Sequence, residues 1–356
     1  MRTHRLAAVA AAALALTLTG CGSSAPSGGA GGGSGGGGQQ PYIAIVSKGF
    51  QHQFWQAVKK GADEEAQKEG VRISFEGPAT EADIEQQVTM LTNALSKQPS
   101  AIGFAALDSR AAAPLLQQAK SRNIPVVAFD SGVDSDVPLT TAATDNKAAA
   151  AEAAKHMAEA LGGTGKVALV VHDQTSKSGT DRRDGFVDWM KANAPGIQLL
   201  PPQYGGGDQA KSADITKSII SSNPDLKGIY GSNEGSAIGV VKGVGESGAK
   251  GITIVGFDSG KAQVDAIKDG TMLGAITQNP VGMGQQLVQA AVKATRGETL
   301  PKVIDTGFYW YDKSNVDGPE IQAVHYQLGR AGPAAAGPAR SGTVSPARGA
   351  TTRRPR

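Results

Sequence analysis

The chain predicts an α/β protein made of two similar halves, each with a parallel sheet covered on both faces. From Tyr42 onward, short apolar runs alternate with amphipathic stretches of roughly a dozen residues, the pattern of β-α units. The tetrapeptide Phe-Asp-Ser-Gly occurs twice, at Phe129–Gly132 and Phe257–Gly260, each time directly after an apolar run. Two further matches keep nearly the same offset: Ile43-Ala44-Ile45-Val46 with Val167-Ala168-Leu169-Val170, and Ile102-Gly103-Phe104 with Gly228-Ile229-Tyr230. Duplication of this kind sets Asp130 and Asp258 at the ends of matching strands, facing each other across a cleft.

The apolar runs place strands at Ile43–Ser47, Arg72–Phe75, Ile102–Ala106, Val126–Asp130, Val167–Val171, Ile197–Leu200, Gly228–Tyr230 and Ile252–Phe257. Helices fall between them where apolar residues recur at helical spacing: Phe54–Lys68 through Trp55, Val58 and Ala62, Asp83–Ser96 through Ile84, Val88, Leu91 and Leu95, and Asp181–Ala192 through Phe186, Trp189 and Met190. Continuous apolar strands between helices mean sheets buried on both sides. The stretch from Pro41 to Leu328 exceeds one ordinary domain and suits two. In open parallel sheets ligands bind beyond the carboxyl ends of the strands, so function is expected there.

The two ends of the chain read differently. Residues 1–20 join Arg2, His4 and Arg5 to an apolar stretch from Leu6 to Leu18, which is the pattern of an export signal. That stretch is shorter than the ~20 residues a transmembrane helix needs. Leu18-Thr19-Gly20-Cys21 resembles the bacterial lipobox, whose cysteine is lipidated, and Cys21 is the single cysteine, so no disulfide framework forms. Residues 21–40 are the lipidated cysteine followed by a Gly-rich segment expected to act as a flexible tether. Residues 329–356 are expected to form a disordered basic tail.

The formal charge of +3 rests on these ends. Arg2 and Arg5 lie in the signal, and Arg330, Arg340, Arg348, Arg353, Arg354 and Arg356 in the tail, so the chain between them is mildly acidic. A nucleic-acid role loses its electrostatic basis. Gly243-Val-Gly-Glu-Ser-Gly248 fits a dinucleotide pattern but precedes a strand instead of following one, and Gly162-Gly-Thr-Gly-Lys166 lacks the Ser/Thr of a phosphate loop. His52, His156, His172 and His325 show no metal-ligand spacing, so neither a metal nor a cofactor is expected.

Several ordered motifs carry a resemblance. The lipobox, Ile43–Ser47 followed by Phe54-Trp55, Ala143-Thr-Asp-Asn146, Arg182-Arg-Asp-Gly-Phe186, Asn233-Glu234, Gly256-Phe-Asp258 and Ala275-Ile-Thr-Gln278 are similar to those of the ribose-type periplasmic sugar-binding proteins of ABC importers, the type I periplasmic binding proteins. The likeness spans about Pro41 to Val316. It implies a monomer of two Rossmann-like lobes with parallel sheets, joined by a three-crossover hinge near 144–146, 277–279 and 302–306. The lobes would be 41–144 plus 279–303 and 145–278 plus 304–328.

Carried over by position, the resemblance implies a ligand shell of Lys48, His52, Phe54, Trp55, Asp130, Ser131, Thr180, Asn233, Asp258 and Gln278, with Arg182 a further candidate. Thr180 stands where the family has a ligand-binding arginine, and glycines 205–207 where an aromatic is expected, which points to a guest larger than a pentose. The residue types suit a sugar on chemical grounds. Carboxylates such as Asp130 and Asp258 accept hydroxyl hydrogens, Asn233 and Gln278 donate and accept, and Phe54 and Trp55 offer flat faces to the C–H sides of a ring. Asp130, Asp258 and Asn233 could instead be helix N-caps, and Arg182 a surface charge.

The expected function is a lipid-anchored extracytoplasmic receptor that takes a small sugar or polyol and hands it to an ABC transporter permease, with no catalysis. A carbohydrate-active enzyme built on Asp130 and Asp258 is an alternative, as is a receptor for a nucleoside or a signalling molecule.

Overall fold

The computed structural model describes residues 40–326. The export signal, Cys21, the Gly-rich segment up to Gln39 and the basic tail lie outside the described residues.

The chain begins with β1 (Tyr42–Val46), α1 (Gln53–Glu69), β2 (Arg72–Glu76), α2 (Ile84–Ser96), β3 (Ala101–Phe104), α3 (Ala113–Ser121), β4 (Val126–Phe129) and β5 (Thr140–Ala143). It continues with α4 (Asn146–Ala160), β6 (Gly165–Val171), α5 (Lys177–Asn193), β7 (Ile197–Leu199), β8 (Gln203–Tyr204), α6 (Gln209–Ser222), β9 (Leu226–Gly231), α7 (Glu234–Ser247), β10 (Thr253–Phe257), α8 (Lys261–Asp269) and β11 (Gly274–Gln278). The last elements are α9 (Pro280–Thr295), β12 (Val303–Asp305), β13 (Phe308–Asp312) and α10 (Pro319–Val324).

Two sheets result. The first has the order β12-β5-β4-β3-β1-β2 and is parallel throughout. The second runs β13-β11-β10-β9-β6-β7, with β8 also on β6, and is parallel except for β13. Each sheet with its helices forms a lobe, and the chain passes between lobes after β5, after β11 and after β12. The apolar runs do not mark β5, β8, β11 or β12, which are short or rich in Thr, Gly and Gln. Strand β12 stays in the first sheet through Asp305, paired Ile304 to Ala142 and Asp305 to Ala143, two residues past the boundary at 303 read from the sequence.

The period of two along each strand explains why both faces are covered. In β1, Ile43 and Ile45 pack with α1 and α9 residues such as Val58 and Leu287, while Ala44 and Val46 pack with Leu91 of α2 and Leu116 of α3. The second lobe repeats this. Val167, Leu169 and Val171 meet Met157, Phe186 and Met190, and Ala168 and Val170 meet Ala237 and Val240. Helices α1 and α9 approach so closely that a side chain at Gly61 would run into the Val281 carbonyl, and one at Gly284 into that of Val58.

One side chain ties the three crossings together. Thr144 Oγ1, just after β5, lies 3.0 Å from Gln278 Oε1 at the end of β11 and 3.3 Å from the Gly307 carbonyl before β13. Tyr326, assigned from the sequence to the second lobe, packs instead into the first lobe's core, its ring 5.6 Å from that of Phe54.

Candidate ligand-binding site

The carboxyl ends of both sheets converge on one buried cavity. The first lobe contributes Lys48 after β1, Asp130 after β4, and His52, Phe54 and Trp55 at the start of α1. The second contributes Arg182 of α5, Asn233 after β9, Asp258 after β10 and Gln278 ending β11. The remaining space is about 20 Å³, room for about one water molecule. The lobes are therefore closed on each other, and a larger guest enters only as they part.

Three cavity residues escape a reading of the sequence: Glu81, His172 and Ser178. Two expected residues stand outside its lining. Ser131 is buried, and its Oγ accepts the backbone N–H of Ser178 at 3.2 Å. Thr180 bonds back to the Ser176 and Lys177 carbonyls of its own helix. The reason is helical phase. Helix α5 starts at Lys177, capped by Ser176, a turn earlier than the apolar pattern suggests. Ser178 and Arg182, four apart, then share the face toward the cleft, and Thr180 lies well round the helix from them. Arg182 is buried and borders the cavity, so its reading as a surface charge fails.

Arg182 is 3 % exposed. Its Nε donates to Asn146 Oδ1 at 2.7 Å, its Nη1 donates to the Ser232 carbonyl at 3.0 Å, and the guanidinium lies 3.7 Å from the centre of the Phe257 ring. Lys48 reaches across the cleft to Ser178 Oγ at 3.0 Å and Ser176 Oγ at 3.4 Å, with Asp173 3.9 Å away. Both cations are thus fixed by protein partners.

The twin aspartates share a backbone and differ in surroundings. Asp130 and Asp258 both have positive φ, 56° and 82°, a left-handed conformation costly for a residue with a side chain and common where function holds it. In each, the backbone N–H donates to the neighbouring strand, Asp130 to Ala142 and Asp258 to Ile276. The Asp258 carboxylate takes three donors: Gln278 Nε2 at 2.6 Å, Tyr326 Oη at 2.9 Å and the Glu234 backbone N–H at 2.8 Å. It caps α7, not the helix that follows it. The Asp130 carboxylate faces the cavity with no such set of donors. Burial pushes its pKa up to about 6, against the pull of Lys48 and Arg182 and with the help of Glu81 and Asp258.

Asn233 both caps and reaches. Its Oδ1 accepts from Ser236 N–H at the start of α7, which leaves Nδ2 free to donate to Glu81 Oε2 at 3.1 Å in the other lobe. Glu81 Oε1 also accepts from Trp55 Nε1 at 2.7 Å, so the carboxylate orients the indole. Burial pushes the Glu81 carboxyl up, but His52, Lys48, His172 and the Trp55 bond outweigh it and hold the group below its ordinary range. The His172 ring nitrogen Nδ1 pairs with Ser232 Oγ at 2.7 Å, and burial holds its pKa below the usual imidazole range, against the pull of Asp173. Phe54 and Trp55 meet edge to face with ring centres 4.8 Å apart, and both border the cavity.

The family profile described as periplasmic binding protein domain matches residues 43–299. The D-allose-binding periplasmic protein of Escherichia coli is 28 % identical over 268 residues, covering 72 % of this chain and 86 % of that protein. Among solved structures, an ABC transporter solute binding protein from Agrobacterium vitis with bound D-fucose is 36 % identical, with a TM-score of 0.78 over 80 % of this chain and 100 % of that one. A second from the same organism, bound with α-D-tagatopyranose, is 31 % identical, with a TM-score of 0.78 over 81 % and 100 %. With its two mainly parallel sheets and a match over most of its length, the chain belongs to the periplasmic binding protein family, type I in fold, as a solute-binding protein and not an enzyme.

Proposed function

We propose that this protein is a lipid-anchored extracytoplasmic receptor that encloses one small sugar or polyol between its lobes and delivers it to the permease of an ABC importer. The observation that carries this reading is the cavity itself. It gathers acceptors (Asp130, Glu81), a donor and acceptor amide (Gln278), fixed cations (Lys48, Arg182) and two aromatic rings (Phe54, Trp55) from both lobes. A polyhydroxylated ring needs this mixture, because any polar group it leaves unpaired on closure costs about 1–3 kcal/mol. The sugars held by the A. vitis structures support the same class. Cys21 and the tether after it would anchor the receptor, and the lobes, divided at the three crossings, would close as a clamshell whose closed form the permease reads. We place Lys48, His52, Phe54, Trp55, Asp130, Arg182, Asn233, Asp258 and Gln278 at the ligand, with Ser131 behind them.

The test is calorimetry and thermal shift with D-allose, D-fucose, D-tagatose, xylitol and nucleosides. A sugar or polyol should raise Tm and bind with one site per chain. Binding of a nucleoside alone would overturn the ligand class. Labelling of the exported protein with a fatty-acid probe, lost in Cys21→Ala, checks the anchor.

A further inference from the structure

Glu81 is one of three cavity residues that neither the duplication nor the resemblance accounts for, and the only carboxylate among them. It sits in the loop between β2 and α2, its side chain 5 % exposed. A carboxylate kept at such depth needs charge-assisted partners. Glu81 has two direct donors, Trp55 of its own lobe and Asn233 of the other, with His52 Nε2 3.8 Å away. A carboxylate offers about four acceptor positions. Two therefore stay open, on a group that borders the cavity.

The fold also makes room for it. The second lobe approaches Glu81 with Gly207, and a Cβ there would fall 2.9 Å from Glu81 Oε2 and 3.1 Å from Asn233 Nδ2. Gly207, one of the three glycines that read as an emptied aromatic position, thus backs onto a carboxylate. Its place in the cleft is distinct as well. Asp258 lies at the hinge, bonded to Gln278, whereas the neighbours of Glu81, Thr80 and Ala82, line an outer cavity of about 580 Å³ together with Gly205–Gly207. The acids are spread from the hinge to the mouth.

We propose that Glu81 is a specificity-determining ligand residue that accepts a hydroxyl from the mouth end of the guest, which selects a sugar or polyol with a hydroxyl at the end farthest from the hinge. This rests on the sugar-receptor reading above. Because Glu81 is also bonded to Asn233 across the cleft, the network that reads this hydroxyl is complete only with the lobes closed. The choice of guest and the closed state are thereby coupled.

The test compares unaltered protein with Glu81→Gln and Glu81→Asp. The ligands are whichever of D-allose, D-fucose and D-tagatose binds most tightly and its monodeoxy derivatives. On the parent sugar both variants should weaken binding roughly ten- to hundredfold, the range of a hydrogen bond to a charged group. One monodeoxy derivative, lacking the hydroxyl that Glu81 reads, should bind variant and unaltered protein within about threefold of each other. Equal losses across every derivative would mean that Glu81 serves only to orient Trp55 and Asn233, and would overturn the assignment. So would no loss on any of them. Unliganded Tm separates these results from misfolding, with Glu81→Asp keeping the charge if Glu81→Gln unfolds. Failure of all three sugars to bind the unaltered protein would sink the underlying reading and this inference with it.

Discussion

Glu234 of the second lobe caps the helix that begins at Gln53 in the first: its two oxygens accept the backbone N–H groups of Gln53 and Phe54, each at 3.0 Å. His52, the N-cap of α1, makes no side-chain cap of its own. The first N–H groups of a helix have no partner within it, and its positive end favours an anion. The exchange is reciprocal, because Gln53 Oε1 accepts from Lys261 N–H at the start of α8 at 2.7 Å. Two helix starts are thus satisfied across the cleft, by bonds that exist only when it is shut. Glu234→Gln should weaken sugar binding about tenfold without touching the ligand. Small-angle scattering of the unliganded variant should show a larger radius of gyration. An unchanged radius and affinity would remove Glu234 from closure.

The raised pKa of Asp130 sets a pH dependence. Native protein holds that proton up to about pH 6, whereas an unfolded aspartate releases it near 3.9. This group's contribution is therefore fully present below the unfolded pKa and is lost as pH rises through about 6. Asp130→Asn should remove that loss. Its unliganded stability at pH 7 should rise, by roughly 3 kcal/mol at most, while ligand affinity collapses. Denaturant melts of both proteins from pH 4 to 8 measure the difference, which should grow up to about pH 6 and level off above it. A parallel pair of curves would contradict the placement of Asp130.

Asp258 predicts the opposite sign. Its carboxylate holds Gln278, Tyr326 and the α7 N-terminus, so Asp258→Ala leaves three buried donors unpaired and should destabilise the unliganded protein by about 3 kcal/mol or more. Matching loops thus diverge, one carboxylate bonded to three donors and the other facing the cavity without them. Equal stability changes in the two variants would erase the distinction.

How far the chain could be read in advance follows from range. The repeated Phe-Asp-Ser-Gly marks two strand ends, and the sheets bring both carboxylates to one cavity because parallel strands expose their carboxyl ends on one side. Apolar period also locates α1 and α2 to within a residue or so. It misplaces the start of α5, because Lys177-Ser178-Gly179-Thr180 has no apolar residue to mark a helical phase. That single omission puts Thr180 in the expected shell beside Arg182, although only Arg182 borders the cavity. Glu81 and Tyr326 give no local signal at all. One sits in a polar loop and the other near the basic tail, and each meets its partners at sequence separations of 26 to 152 residues.

Gly207 offers a last test, with Gly206 as its internal control. Both have left-handed backbones, with φ of 68° and 69°, so alanine at either should cost about 1–2 kcal/mol from conformation alone. Their surroundings differ. A Cβ at Gly206 meets only the Ala82 Cβ at 3.7 Å, an ordinary contact, whereas one at Gly207 presses on Glu81 and Asn233. Neither acid nor amide can yield freely, because Glu81 is held by Trp55 and Asn233 by the first turn of α7. The lobes would have to stand further apart. Gly206→Ala should therefore lower Tm with little change in affinity, and Gly207→Ala should lower it comparably while weakening sugar binding more than about tenfold, a difference above 1.4 kcal/mol. Calorimetry on the two variants side by side decides it, since equal affinities would mean that the wall between the lobes gives way more easily than its bonding suggests.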